Sequence, residues 1–154
     1  MEAKIINPFL EACINVLNTM AMLKPEPGKP YIKQDLLSYG DISGVIGLAG
    51  AKRGAVVVSF TEKCILKIVS SMLGENYSSI ANEDVESAVG ELVNMISGDA
   101  RRQLAEEGLK IESGLPSVVV GHKHKISTKT TGPYLVMPFN LNGDNFVVEV
   151  SFED

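Results

Sequence analysis

The chain has 154 residues, of which 45% are hydrophobic and 21% charged, and its formal net charge is −5. This length favours one domain over residues 1–154 with a sizeable buried core. The negative charge argues against nucleic acid as the main partner, because phosphate backbones reward a concentrated basic surface. Apolar runs such as 55–58 are far too short to cross a membrane, and the N-terminus lacks a signal-peptide pattern. We therefore expect a cytoplasmic protein that does not act in the membrane.

The two cysteines fit that expectation. Cys13 and Cys64 each lie among apolar residues, with no histidine near them in the sequence. Such residues are typically buried, reduced thiols in a reducing compartment.

The first half of the chain alternates helical and strand patterns. Helical spacing of apolar residues predicts a first helix that begins at Asn7 and Pro8, as N-cap and first position, and ends before Pro25. The proline-rich run 24–30 can be neither helix nor central strand and predicts a connector. Residues 31–39 are expected to begin the sheet.

Residues 41–60 predict a hairpin around a glycine-bounded turn at 50–54. Thr61 is the expected cap of a second helix, which Gly74 ends. Asn82 is the expected cap of a long helix that runs to about Gly108.

The remainder is rich in strands. A proline-led strand is predicted at about 117–127, and a final hairpin turns at the Asn-Gly pair 142–143. The runs GAVVVSFTE (54–62) and NFVVEVSFED (145–154) resemble each other, either because two helix-plus-hairpin halves share one sheet or by chance. The pattern predicts an α+β fold in two layers, with long helices on one face of a mostly antiparallel sheet.

One face of the long helix is unusually bare. Apolar residues from Val85 to Leu104 form the core stripe, and a second stripe opposite it is polar or small. That second stripe holds Ser87, Glu91, Asn94 and Gly98, with Gly90 and Ser97 beside it.

Two readings of this bare stripe are open. A solvated face would carry good helix formers, and each glycine inside a helix costs about 1 kcal/mol relative to alanine. Small residues instead let another surface approach closely. The stripe therefore predicts a docking face, in which a larger side chain at Gly98 should weaken binding without unfolding the helix; a solvated face with incidental glycines is the alternative.

The two functional side chains on the stripe suggest a kind of chemistry. An amide such as Asn94 donates and accepts hydrogen bonds without titrating, which suits holding a water molecule in line for attack on a phosphoryl group. Glu91, one helical turn away, can pair with a lysine of a partner and fix its register. The helix would then complete an active site that lies mostly on another protein.

At these residues the sequence resembles the CheC/CheX/FliY family of chemotaxis phosphatases, and its CheX branch most. The family signature is Asp or Ser, three residues, Glu, two residues, Asn, and a proline about twenty residues on. Ser87, Glu91 and Asn94 match it, and Pro116 is the matching proline, with 21 residues between it and Asn94, one fewer than usual. The likeness extends over nearly the whole chain.

The resemblance implies a phosphatase that dephosphorylates phosphorylated CheY-type response regulators, in chemotaxis or a related two-component pathway. It assigns water positioning to Asn94 and docking to Glu91, with Ser87 and Pro116 in the partner-binding surface, to which the bare stripe adds Gly90 and Gly98. It also implies that Mg²⁺ belongs to the regulator, that this chain needs no cofactor or metal of its own, and that the protein is a homodimer joined through its sheets. The alternative is a non-catalytic, regulator-binding module of the same fold.

Two other patterns are weaker. In the first helix Asn7, Glu11 and Asn15 imitate the signature, but Ile14 occupies the amide position, so a second active site is not expected. His122 and His124 alternate along a strand as metal ligands can, yet no third ligand follows at a suitable spacing.

Overall fold

The computed structural model describes residues 3–33, 40–122, 124, 126 and 133–153. Its helices are α1 (Ala3–Ala21), α2 (Glu62–Leu73) and α3 (Glu83–Glu106). Its strands are β1 (Glu26–Pro27), β2 (Tyr31–Lys33), β3 (Ile42–Gly50), β4 (Gly54–Phe60), β5 (Ile111–Ser113), β6 (Ser117–Val120), β7 (Tyr134–Leu141) and β8 (Asp144–Phe152).

All eight strands join one antiparallel sheet in the order β1–β7–β8–β4–β3–β5, with β2 also paired to β7 and β6 to β3. The helices pack on one face of this sheet through a shared apolar cluster. The α+β prediction is confirmed, and none of the described helices combines the length and apolar character that crossing a bilayer requires.

The two sequence runs that resemble each other lie side by side at the centre of the sheet. Strands β4 and β8 pair with Gly54 opposite Phe152, Val57 opposite Glu149 and Phe60 opposite Phe146. Each hairpin, β3–β4 and β7–β8, therefore contributes one of the two central strands. The arrangement matches the expectation of two similar halves that share one sheet.

The sheet face away from the helices holds buried polar groups. Glu149 is 4% exposed and pairs with Lys33 at 2.6 Å between Nζ and Oε2. Ser43 and Ser59 are fully buried, with their hydroxyl oxygens 2.6 Å apart. The carboxylate of Glu149 needs a partner such as Lys33, because a buried charge without one costs several kcal/mol.

Most predicted boundaries of the helices and hairpins are confirmed. Thr61 caps α2 by accepting a hydrogen bond from the Cys64 N–H, and Gly74 ends the helix in the left-handed conformation. Asn142 and Gly143 both have positive φ at the last turn. That backbone is the one that a two-residue hairpin with an Asn-Gly turn requires.

The predicted start of α1 is wrong. The helix begins at Ala3 and continues through Pro8, although proline lacks the N–H that would bond to the carbonyl of residue 4. Ile5 is 6% exposed and belongs to the apolar cluster between the helices and the sheet. Burying such a side chain contributes about 1.5–3 kcal/mol. That gain offsets the cost of the hydrogen bond lost at Pro8. The cost is limited because Pro8 lies near the start of the helix.

Three other segments differ in extent from their predictions. The connector 24–30 contains β1, which is an edge strand, a position in a sheet where proline is tolerated. Of the strand expected at 31–39, residues 31–33 are strand and 34–39 lie outside the described residues. Of the strand expected at 117–127, residues 117–120 are strand, and 123, 125 and 127 lie outside the described residues.

Helix α3 lies unusually close to β3. The missing side chain of Gly44 leaves room for Val93, whose Cγ2 would overlap a methyl group at position 44 and whose Cβ would be 3.0 Å from it. Val89 Cγ1 lies 3.4 Å from the same point. Gly44 thus sets the depth at which the middle of α3 rests on the sheet.

We expect Gly44→Ala to destabilise the protein by about 1–3 kcal/mol, the usual cost of overpacking a core. The matched control is Gly47→Ala on the same strand, because nothing lies within 4 Å of a side-chain carbon placed there. Denaturant unfolding of the two variants measures the difference. Equal stability of both would contradict the close packing.

Candidate functional site on the long helix

Helix α3 is fixed at both ends. The Asn82 side-chain oxygen accepts a hydrogen bond from the Asp84 N–H at 2.8 Å, and the first turn is acidic, as a helix N-terminus favours. At the other end Leu104 O accepts from the N–H groups of Glu107 and Leu109, around Gly108 at positive φ. The predicted span, from a cap at Asn82 to about Gly108, is confirmed.

The predicted bare stripe lies on the outer face of α3. Ser87, Glu91 and Asn94 are exposed and Gly98 is half-buried. The stripe extends about 16 Å along the helix, and Glu91 and Asn94 are separated by about 4.5 Å along the axis. Both can therefore contact the same small region of a partner.

Glu91 and Asn94 are available to a partner. Within the described residues, no hydrogen bond or ion pair engages either side chain. Val93, the immediate neighbour of Asn94, is fully buried against Gly44. The backbone below the amide is thus held by the core while the amide itself faces solvent.

The two glycines of α3 face different surroundings. A side-chain carbon at Gly90 would make ordinary contacts with the chain itself, 3.6 Å from Val118 and 3.9 Å from Pro116. At Gly98 its nearest neighbour would be the Arg101 guanidinium, at 3.7 Å. The packing of this chain therefore accepts alanine at both positions, and the fold alone does not account for glycine.

Ser97 was expected beside the bare stripe on the outer face of α3, and that placement is wrong. It is fully buried, four residues after Val93 and three before Ala100, so it belongs to the flank of the core stripe. Within the described residues its hydroxyl has no hydrogen-bond partner. The helical-wheel position of Ser97 borders both stripes, and in the folded chain it is on the buried side of that border.

Pro116, the last residue of the signature, lies against α3 although it follows Asn94 by 22 positions in the sequence. Its Cγ would lie 3.9 Å from a side-chain carbon at Gly90, one helical turn before Asn94. The structure therefore places Pro116 beside the stripe that holds Glu91 and Asn94. Sequence spacing alone gave no distance between them.

The residues of α1 that imitate the signature do not form a matching site in the structure. Glu11 and Asn15 are exposed, but Ile14, which occupies the amide position, is half-buried against the core. An apolar side chain there cannot orient a water molecule.

The two histidines are engaged within the chain. His124 donates from Nδ1 to the Gly121 carbonyl, and its Nε2 lies 2.6 Å from Ser43 Oγ. His122 Nδ1 donates to Asp41 at 2.9 Å. Within the described part of the chain, no three His, Cys, Asp or Glu side chains are grouped as metal ligands would be.

The Asp41–His122 pair was not predicted from the sequence. The hydrogen bond to Asp41 and its negative charge raise the pKa of His122. Partial burial opposes ionisation of Asp41, but hydrogen bonds from His122 and from the Glu62 N–H leave its pKa lowered. Asp41 thereby ties the start of α2 to the segment that follows β6.

Both cysteines are free and buried, as predicted. Burial raises the pKa of Cys13 far above its usual range and that of Cys64 to about 12. Neither thiol forms the reactive thiolate at neutral pH.

Comparisons with known proteins agree on one family. Residues 42–140 match the family model described as chemotaxis phosphatase CheX. The CheY-P phosphatase CheX of Thermotoga maritima is 30% identical over 141 residues, which are 92% of this chain and 90% of that protein.

Solved structures share the fold. A CheC-like superfamily protein from Shewanella sp. PV-4 covers 100% of both chains at 41% identity, with a TM-score of 0.93. A chain of the CheX–CheY–BeF3–Mg²⁺ complex from Borrelia burgdorferi is 28% identical and covers 97% of both chains, with a TM-score of 0.83.

The arrangement of helices on one face of an antiparallel sheet, shared over the full length of the Shewanella protein at 41% identity, defines a protein of the CheC-like class. The chain belongs to the chemotaxis phosphatase CheX family.

We expect Gly98→Ala to raise the free energy of unfolding by up to about 1 kcal/mol, because alanine is the better helix former and nothing in the chain crowds it. Thermal or denaturant unfolding measures the change. A loss of stability would mean that the fold itself requires glycine at position 98.

Proposed function

We propose that this protein hydrolyses the phosphoaspartate of a phosphorylated CheY-type response regulator. The observation that carries the proposal is that Glu91 and Asn94 share one exposed stripe, in the spacing of the family signature, with Pro116 beside Gly90 of the same helix. The family to which the chain belongs consists of chemotaxis phosphatases.

In the proposed reaction Asn94 orients the attacking water. The water oxygen bonds to phosphorus while the bond between phosphorus and the aspartyl oxygen breaks. The products are inorganic phosphate, which retains the protons of the water, and the free aspartate carboxylate. An amide does not accept a proton at neutral pH, so Asn94 acts by position rather than as a general base.

Glu91 has a docking role in this proposal. Its carboxylate pairs with a lysine beside the phosphorylated residue and thereby sets the register of the amide one turn away. Mg²⁺ belongs to the regulator, where it neutralises charge on the phosphoryl oxygens. No metal ligand is assigned to this chain. The reaction takes place in the cytoplasm, which suits two free, buried thiols.

The remaining stripe residues leave room for the partner. Ser87 and Gly98 are small residues on either side of the two functional side chains, and Gly90 lies between these side chains and Pro116 without crowding either. Gly98→Leu should therefore raise KM for the phosphorylated regulator while the far-ultraviolet circular dichroism of the protein is unchanged.

The test is phosphate release from a phosphorylated CheY-type regulator in the presence of Mg²⁺. Asn94→Ala should lower the accelerated rate by about 100-fold, because a misplaced water loses the benefit of orientation. Asn15→Ala is the matched control, since Asn15 is also an exposed asparagine on a long helix, and it should retain the parental rate.

Three results would change the proposal. Equal rates for the parent and Asn94→Ala would reject the catalytic role of the amide. A parent that binds the regulator without shortening the lifetime of its phosphate would be the non-catalytic binding module. A rate loss in Asn15→Ala equal to that in Asn94→Ala would indicate a second active site on α1.

We further propose that the protein is a homodimer joined through its sheets. Within the described residues the sheet ends in β1 and β2 on one side and in β5 and β6 on the other. The first edge exposes 53% of Tyr31 and 58% of Ile32, and the second exposes 38% of Val120. Exposed apolar edges of this kind favour pairing with another chain.

Light scattering should give a mass of about twice the chain mass of 16.6 kDa. Ile32→Lys and Val120→Lys, tested separately, should distinguish the two edges, because a charge on the paired edge gives a monomer. A parent protein of single-chain mass at micromolar concentration would reject the dimer.

A further inference from the structure

The edge of the sheet next to α3 contains a β-bulge. Ser113 pairs with Leu48 and Ser117 pairs with Val45, so the edge chain advances four residues where β3 advances three. The extra residue lies in the segment 114–116. Bulges of this kind bend an edge strand and redirect a side chain.

Leu115 is the middle residue of this bulge and is 91% exposed. A sheet edge is protected from pairing by a bulge, by proline or by a charged side chain, and none of these devices requires an exposed leucine. Leucine instead adds an apolar group to the surface and contributes nothing to the core of its own chain.

The backbone on both sides of Leu115 is fixed. The Gly114 N–H donates to the Gly47 carbonyl at 3.0 Å, and the Pro116 ring lies beside Gly90 of α3. The position of Leu115 relative to α3 is therefore set before any partner arrives, which reduces the entropy lost on binding.

Leu115 is also close enough to Asn94 for one partner to cover both. Pro116 lies beside Gly90, one helical turn from Asn94, and Leu115 precedes Pro116 in the chain. A standard interface removes about 800 Å² on each partner, which corresponds to a radius of about 16 Å around its centre. A globular protein docked over Asn94 thus extends across the bulge.

We infer that Leu115 is a binding residue for the response regulator, held out by the bulge to contact an apolar surface beside the phosphorylation site. This inference rests on the proposed function and extends it to a second element of the chain. Glu91 provides the charged contact on α3, Asn94 acts on the water, and Leu115 provides the apolar contact from the sheet edge.

Steady-state phosphate release by the full chain tests the inference with Leu115→Ala and Leu115→Asp. Leu115→Ala should raise KM for the phosphorylated regulator about 10-fold, and Leu115→Asp about 100-fold, with kcat within twofold of the parent. A rise in KM at constant kcat is the signature of a contact made equally before and during the reaction. A merely structural residue would lower stability instead, which thermal unfolding measures.

Leu73→Ala is the matched control, because Leu73 is another exposed leucine, 48% accessible, at the end of α2. It should leave KM unchanged. An active parent with the same KM in Leu115→Ala would overturn this inference and leave the proposed function intact. Conversion of a dimer to a monomer by Leu115→Ala, with KM unchanged, would also overturn it, because a second copy of the chain would then be the occupant.

A parent that neither binds the phosphorylated regulator nor accelerates phosphate release would overturn the proposed function and this inference together. Binding without release, weakened by Leu115→Ala, would support Leu115 as a contact while rejecting catalysis.

Discussion

The close contact between Gly44 of β3 and Val93 of α3 is the constraint on which the rest of the molecule depends. A helix normally rests on a sheet through side chains from both layers, whereas here Val93 reaches the strand where no side chain stands. The depth of α3 is fixed at the residue that precedes Asn94. On the same helix Gly90 faces Pro116 and Val118, so α3 and the sheet edge meet at this point.

The sequence predicts those parts of the fold that depend on local chemistry. The caps at Thr61 and Asn82 and the Asn142–Gly143 turn are fixed by hydrogen bonds and backbone angles within a few residues. The start of α1 is not fixed in this way, because the burial of Ile5 against distant residues decides whether the helix continues through Pro8. Ser97 was misplaced for a related reason: only tertiary packing determines which side of a helix-wheel border is covered.

In the candidate site, too, features that depend on local sequence could be predicted and features that depend on tertiary packing could not. The stripe of Ser87, Glu91 and Asn94 follows from helical periodicity, because all three lie on one continuous helix. The bulge around Leu115 does not, since a single extra residue becomes apparent only when the pairings of β5 and β6 with β3 are compared. The Asp41–His122 pair likewise joins residues 81 positions apart.

The register of the two central strands constrains how alike the halves of this chain can be. When GAVVVSF of β4 is aligned with FVVEVSF of β8, Val57 corresponds to Glu149, and these two residues are also opposite each other in the sheet. Any residue present in both halves at this position would face its own copy. Two glutamates there would be like charges directly opposite each other, which destabilises a sheet. The centre of the sheet is therefore a place where the two halves must differ if one carries a charge.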